Sequence, residues 1–184
     1  MAYVTKAEVL QHGGMDSNDA LGAEISSLIA RAESAIESDT GNVFELTSTS
    51  TRKFDAIANV DGSILYFDEW LANTTSLVIT NGDADETVIA STKYVTLPRN
   101  STPIYGIQLK TDTTDVWEYS TSPEDAISVV GNWGYSENPS SDVKLACIML
   151  ILHWLRQEDQ SDDKDFPSDV CKLLKHYTRA VAWL

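Results

Sequence analysis

The sequence predicts an α+β chain, with helices at both ends and an antiparallel β region inserted between them. Three observations lead there. Apolar residues recur at helical spacing near the N-terminus, as Leu21, Ile25, Leu28, Ile29, Ala32 and Ile36. They do so again toward the C-terminus, around Val143–Leu155 and as Val170, Leu173, Leu174, Tyr177 and Val181. Between these stretches the chain is rich in Thr, Val, Ile and aromatic residues and is broken by turn residues at short intervals. The division expected is a helical bundle scaffold from residues 1–42 and 139–184, with a β region at 43–138.

Thr5-Lys6-Ala7-Glu8-Val9-Leu10 reads as a short helix stopped by Gly13-Gly14. Asp16 or Ser17 is placed to cap the next helix, whose apolar stripe ends at Thr40-Gly41. Gly41 suits a left-handed stop. Strands are expected at 51–56, 63–67, 76–80, 86–89, 93–96, 104–109, 115–119 and 126–132. Asn81-Gly82-Asp83 is a turn signal between the third and fourth of these. No helical pattern interrupts them, which excludes parallel crossover units and leaves an antiparallel sheet or small sandwich. Pro139-Ser140-Ser141 starts a helix running to about Arg156 that is apolar nearly all round. Such a helix is either central to the core or covered by neighbouring subunits. An acidic connector, Glu158–Asp165, leads to the last helix, opened by Phe166-Pro167-Ser168 and ending at Trp183-Leu184.

Bulk properties remove several function classes. The chain has 184 residues, 42% hydrophobic with five Trp, enough for a packed core. Its formal net charge is −15, which repels phosphate backbones and anionic membranes. The N-terminal residues do not read as a signal peptide, because no apolar run of secretory length follows a basic start. The longest apolar run, Leu145 to Leu152, is far short of the ~20 residues of a membrane span. Cys147 and Cys171 each fall within an apolar helical pattern, so buried reduced thiols are expected instead of a disulfide, in keeping with a cytosolic origin.

A search for chemistry finds little. No G-x-S-x-G elbow, CxxC, HExxH or phosphate-binding glycine loop is present, and His12, His153 and His176 are isolated in sequence. Asn81, Asp83 and Asp85 have the spacing of the first calcium-loop ligands, but Glu86 and Thr92 stand where that loop needs Gly and Glu. A solvated hairpin turn is the better reading. Gly131-Asn132-Trp133-Gly134-Tyr135 is the one dense cluster. Its aromatics suit ring stacking, yet no catalytic side chain accompanies them. A joint plugging the seam between sheet and helix is therefore preferred. No cofactor, metal or catalytic residue is expected.

Several stretches, taken in order, are similar to a known family. Tyr3-Val4-Thr5 with Ala7-Glu8-Val9, then Ala32, Ile36-Glu37, Thr40-Gly41 and Phe44, come first. Arg52 and Phe54 follow, then Tyr94 to Pro98 with Pro103. The most specific is Gly131-x-Trp133-Gly134-Tyr135, Pro139 and Asp142-Val143-Lys144-x-Ala146. Over roughly Tyr3 to Leu155 the chain resembles the head–tail connector (adaptor) proteins of long-tailed bacteriophages. Family members often carry Arg after the Thr-Gly pair, where Asn42 stands here.

The resemblance implies a virion structural protein of the neck, made in the bacterial host cytoplasm, and not an enzyme. It implies a ring, usually a dodecamer, beneath the portal protein. That ring would extend the DNA channel without binding the genome specifically, and would dock a stopper or other neck or tail component. Trp154, Tyr177, Trp183 and Leu184 are the residues expected to grip the portal or a neighbouring subunit; the alternative is that the last helix merely closes the bundle. A tail terminator or other ring-forming tail protein is the rival within the class, and an enzyme of unknown chemistry the rival outside it.

Overall fold

The computed structural model describes residues 2–16, 19–84, 86–156 and 166–177. Among them are four α-helices and a seven-stranded antiparallel sheet, an α+β fold. The chain divides into two compact units, residues 1–45 with 138–184, and residues 46–137.

The first unit is helical. Helix α1 (Lys6–Gly13) begins at Thr5, whose hydroxyl accepts the Glu8 N–H while the Glu8 carboxylate accepts the Thr5 N–H. This reciprocal capping satisfies two amides that a helix start would otherwise leave open. Gly14 ends it with φ of 62°, a left-handed value that glycine adopts without cost to a side chain. Helix α2 (Asp19–Thr40) buries Ile25, Ile29, Ala32 and Ile36, one stripe at helical spacing. Its first cap, sought at Asp16 or Ser17, falls partly outside the described residues. At its other end Gly41 takes φ of 68° and donates its N–H to the Glu37 carbonyl at 2.8 Å.

Helix α3 (Ser141–Arg156) is the centre of this unit and packs against α1, α2 and α4 (Ser168–Leu174). Its buried residues Val143, Ala146, Cys147, Ile148, Leu150, Ile151 and Leu152 go nearly round the helix, because three neighbours surround it. Each fully buried aliphatic side chain contributes on the order of 1.5–3 kcal/mol. So much of this apolar surface is consumed within the chain, and Val170 and Leu174 of α4 help to cover it. Both cysteines are free. Cys147 is buried, and burial pushes its thiol up to about 12. Cys171 departs from expectation, since it lies on the exposed side of α4.

The second unit is the sheet, with strands β1 (Ser50–Phe54), β2 (Val60–Asp61), β3 (Ile64–Asn81), β4 (Thr87–Ile89), β5 (Tyr94–Leu97), β6 (Ile104–Leu109) and β7 (Ile127–Trp133). Its main order is β1-β7-β3-β6-β5, with β2 and β4 paired to β3. Strand β7 alternates between buried Ile127, Val129, Gly131 and Trp133 and half-buried Ser128, Val130 and Asn132, the period of a sheet with one face packed. The packed face joins Phe54, Leu65, Phe67, Leu71, Ile79, Ile107 and Trp133 into one core.

Two strand expectations need correction. The strands expected at 63–67 and 76–80 are one strand of 18 residues, β3. Its middle stretch Asp68 to Thr75 does not turn the chain back; register shifts between Tyr66 and Leu71 and between Leu71 and Val78 absorb the irregularity. A bulge bends a strand without ending its ladder, and so lets β3 pair with β6 at one end and β7 at the other. The segment Asp115–Tyr119 is not a strand. Its backbone is held by side chains: the Asn81 amide donates to the Val116 carbonyl at 2.7 Å, and the Glu118 N–H donates to the Asn81 amide oxygen at 3.3 Å.

Candidate functional site

Among the described residues no three His, Cys, Asp or Glu side chains are grouped to hold a metal ion. No helix of the described residues is long and apolar enough to cross a membrane. Of the calcium-like trio, Asn81 is buried and bonded to Val116 and Glu118, while Asp85 lies outside the described residues. Asp83 accepts three backbone N–H groups, from Ser120, Ser122 and Thr121, at 2.5 to 2.9 Å. Those donors favour the charged form and hold its carboxyl down to about 2. Both described members of the trio therefore serve as clamps between chain segments.

The Gly131–Tyr135 cluster is also structural, but not in the way its sequence suggests. Trp133 lies wholly inside the sheet's own core, against Phe54 at 5.9 Å and Phe67 at 5.3 Å between ring centroids. Its indole N–H donates to the Ser50 carbonyl at 3.0 Å, and the Arg52 guanidinium sits 5.0 Å from its ring centroid. Arg52 is itself paired with Glu69. The small Gly131 is required beside it, since a Cβ there would fall 2.4 Å from Leu71 Cδ1. Tyr135 turns away from Trp133 and meets Trp70 edge to face at 5.8 Å. The seam-plugging role expected of Trp133 is thus replaced by a core role, because β7 continues to residue 133 and its alternation points that side chain inward.

The expected assembly residues fall as follows. Trp154 is half-buried on α3, with the Arg31 guanidinium 4.5 Å from its ring centroid. Tyr177 is half-buried and held within its own unit. Its hydroxyl is 2.8 Å from Ser140 Oγ, its ring meets Phe44 at 5.5 Å, and its carbonyl accepts a hydrogen bond from the Asn42 side chain. Asn42, where the resembling family often has Arg, thus makes a local contact. Trp183 and Leu184 lie outside the described residues.

A feature that sequence reasoning missed lies at the β3–β4 end of the sheet. Of the six large apolar residues exposed among the described residues, Val78 and Val88 stand there, on the strand face opposite buried Ile79 and Ile89. Val88 lies opposite Thr80 in the hairpin, and Ala56, next to Ile57, donates its N–H to the Pro123 carbonyl at 2.9 Å. A notch beside them is lined by Lys53, Asp83, Glu86, Glu124 and Asp125.

No family model matches the sequence, and no curated protein matches it. Compared with solved structures, the chain is similar to one in the neck of an empty gene transfer agent particle computed with C6 symmetry. That match has a TM-score of 0.60 and 15% identity, and covers 98% of this chain and 92% of the other. A chain in the neck of the native particle computed with C12 symmetry matches with TM-score 0.57 and 16% identity, covering 96% and 90%. A chain in the virion of the native particle matches with TM-score 0.61 and 16% identity, covering 98% and 92%. Over nearly its whole length, this sequence folds as those particle chains do.

Proposed function

We propose that this protein is a structural subunit of the neck of a bacteriophage-like virion, without enzymatic activity. The observation that carries the reading is the near-complete two-way coverage of the match to neck chains. The symmetry of those necks supports self-association into a ring, and a ring interface is heterologous, so different patches of adjacent copies meet.

In finer terms, the subunit acts as a head–tail connector. The helical segments, 1–42 and 139–184, are the scaffold and the β region, 43–138, is the insertion. The ring sits beneath the portal, extends the DNA channel and docks a stopper or another tail component. Trp154, Tyr177, Trp183 and Leu184 form its grip on portal or neighbour. The net charge of −15 supports a wall that genome DNA slides past, an effect that reaches only about 8 Å at physiological salt.

Cryo-microscopy of particles containing this protein tests the assignment. Density for this chain in a ring between portal and tail is the expected result. A position on the tail tube alone, without portal contact, would favour a tail terminator and overturn the connector assignment.

A further inference from the structure

The sheet is open at both sides. Strand β1 pairs only with β7, and β5 only with β6. An edge strand presents a row of N–H and C=O groups that a further strand can pair. At the β5 edge, the Lys110 N–H donates to the Lys93 carbonyl at 2.9 Å, so these two residues form a hydrogen-bonded pair just before β5. In an antiparallel ladder such pairs alternate with non-bonded ones. Val95 and Leu97 therefore bond β6, and the backbone groups of Tyr94 and Thr96 point out from the sheet. At the β1 edge, the Gly134 N–H donates to the Trp70 carbonyl, and the Trp133 carbonyl accepts the Thr47 N–H. Strand β7 thus turns the backbone of Trp133, Gly131 and Val129 toward β1, where Gly131 and Val129 face Ser50 and Arg52. That leaves the backbone groups of Thr51 and Lys53 pointing outward, and both residues are exposed.

We propose that β1 of one copy and β5 of the next pair edge to edge, as a parallel ladder that joins their sheets. The proposal rests on the neck reading above and names the contact that builds its ring. Symmetry selects this occupant. A ring needs two different patches on each copy that fit each other. Strand β5 meeting β5, or β1 meeting β1, across a two-fold axis would close a dimer and stop. The two edges of one open sheet are different, and β1 and β5 run in the same direction, since four antiparallel steps separate them. A sixfold or twelvefold rotation, as in the similar necks, keeps neighbouring strands near that direction, so the joint is parallel. With Arg52 opposite Tyr94 or Thr96, ladder bonds form among Thr51, Lys53, Tyr94 and Thr96, and the core-facing residues of both copies stay on one face. Neither strand contains Asp, Glu or Pro. The carboxylates behind the shared net charge therefore stay out of the ladder, and no missing N–H interrupts it.

Paired cysteines in the full chain test this, in a Cys171→Ser background that removes the exposed native thiol. Val95 stands opposite Thr51 in one of the two registers and opposite Lys53 in the other. Two double variants are compared: Thr51→Cys with Val95→Cys, and Lys53→Cys with Val95→Cys. On oxidation of purified particles, one of them is expected to give a ladder of covalent multimers above the dimer, and the single variants none. Nothing above the dimer from either double variant, or dimers from Val95→Cys alone, would overturn the joint. A chain missing from the particles would instead overturn the neck reading. As a second arm, Thr96→Pro removes an outward N–H and no bond to β6. It is expected to melt near the parent temperature and to lower the yield of tailed particles by about tenfold, the effect of one lost hydrogen bond at a joint. Parent-level yield from that variant would also count against the edge-to-edge joint.

Discussion

The side-chain amide of Asn42 donates to the backbone carbonyl of Tyr177, joining the exit of α2 to the chain just beyond α4 across a separation of 135 residues. Asn42 is only 3% exposed, and its own N–H is bonded to the Thr40 hydroxyl. This bond closes the helical unit on itself. Asn42→Ala would leave a carbonyl in a part-buried site without that donor. We expect a loss of about 1–3 kcal/mol, read as a shift of the urea midpoint with the slope unchanged. An unaltered midpoint would mean that water replaces the amide freely.

Tyr3 makes a comparable closure at the same exit of α2. Its hydroxyl donates to the Glu37 carboxylate at 2.6 Å and accepts the Phe44 N–H at 2.9 Å, while its own N–H donates to Glu33 at 2.6 Å. Burial, and then the hydrogen bond to Glu37, push the phenol well above its usual range. Tyr3→Phe keeps the ring against Phe44 but removes both hydroxyl bonds. The expected cost is roughly 1–3 kcal/mol. Since the carboxylate of Glu37 loses its donor in the variant, thermal unfolding at neutral pH is the measurement to compare.

Trp133 fills the sheet core, and Trp133→Ala should cost about 3–5 kcal/mol from lost burial and the cavity left behind. Trp133→Phe separates the contributions. It retains an aromatic ring against Phe54 and Phe67 but loses the N–H to Ser50, so a smaller destabilisation is expected, accompanied by faster amide exchange along β1. If both variants unfold at the parent denaturant concentration, the core position given to Trp133 is wrong.

Asp83 supplies a pH signature. Its folded-state pKa is depressed to about 2 by the Ser120, Ser122 and Thr121 amides, below the ordinary carboxyl value. A depressed pKa means that its stabilising contribution is fully present above the unfolded value, near 3.9, and is lost as pH falls toward about 2. Asp83→Asn should therefore lower the melting temperature at pH 6, with the gap between variant and parent closing between pH 4 and pH 2. A gap independent of pH would show that the charge has no part in the clamp.

Much of this architecture was legible without coordinates because it depends on local periodicity. The stripe from Ile25 to Ile36 specified a helix. The stops at Gly13-Gly14 and Gly41 specified helix ends, since each satisfies backbone groups within a few residues of itself. The β-rich run at 126–132 specified a strand, found as β7. Sequence composition also removed membrane spans and pointed away from catalysis.

What only the tertiary structure decided has a common physical reason: it depends on segments far apart in the chain. Whether Asp68–Thr75 breaks a strand or bends it was settled by β6 and β7 pairing on either side of β3. Whether Asp115–Tyr119 joins the sheet was settled by Asn81, which takes its backbone groups before a ladder can. Trp133 looked like a seam aromatic until the length of β7 placed it inside. Periodicity reports which way a side chain faces within one element, while the neighbours it meets are set by long-range pairing that local sequence does not encode.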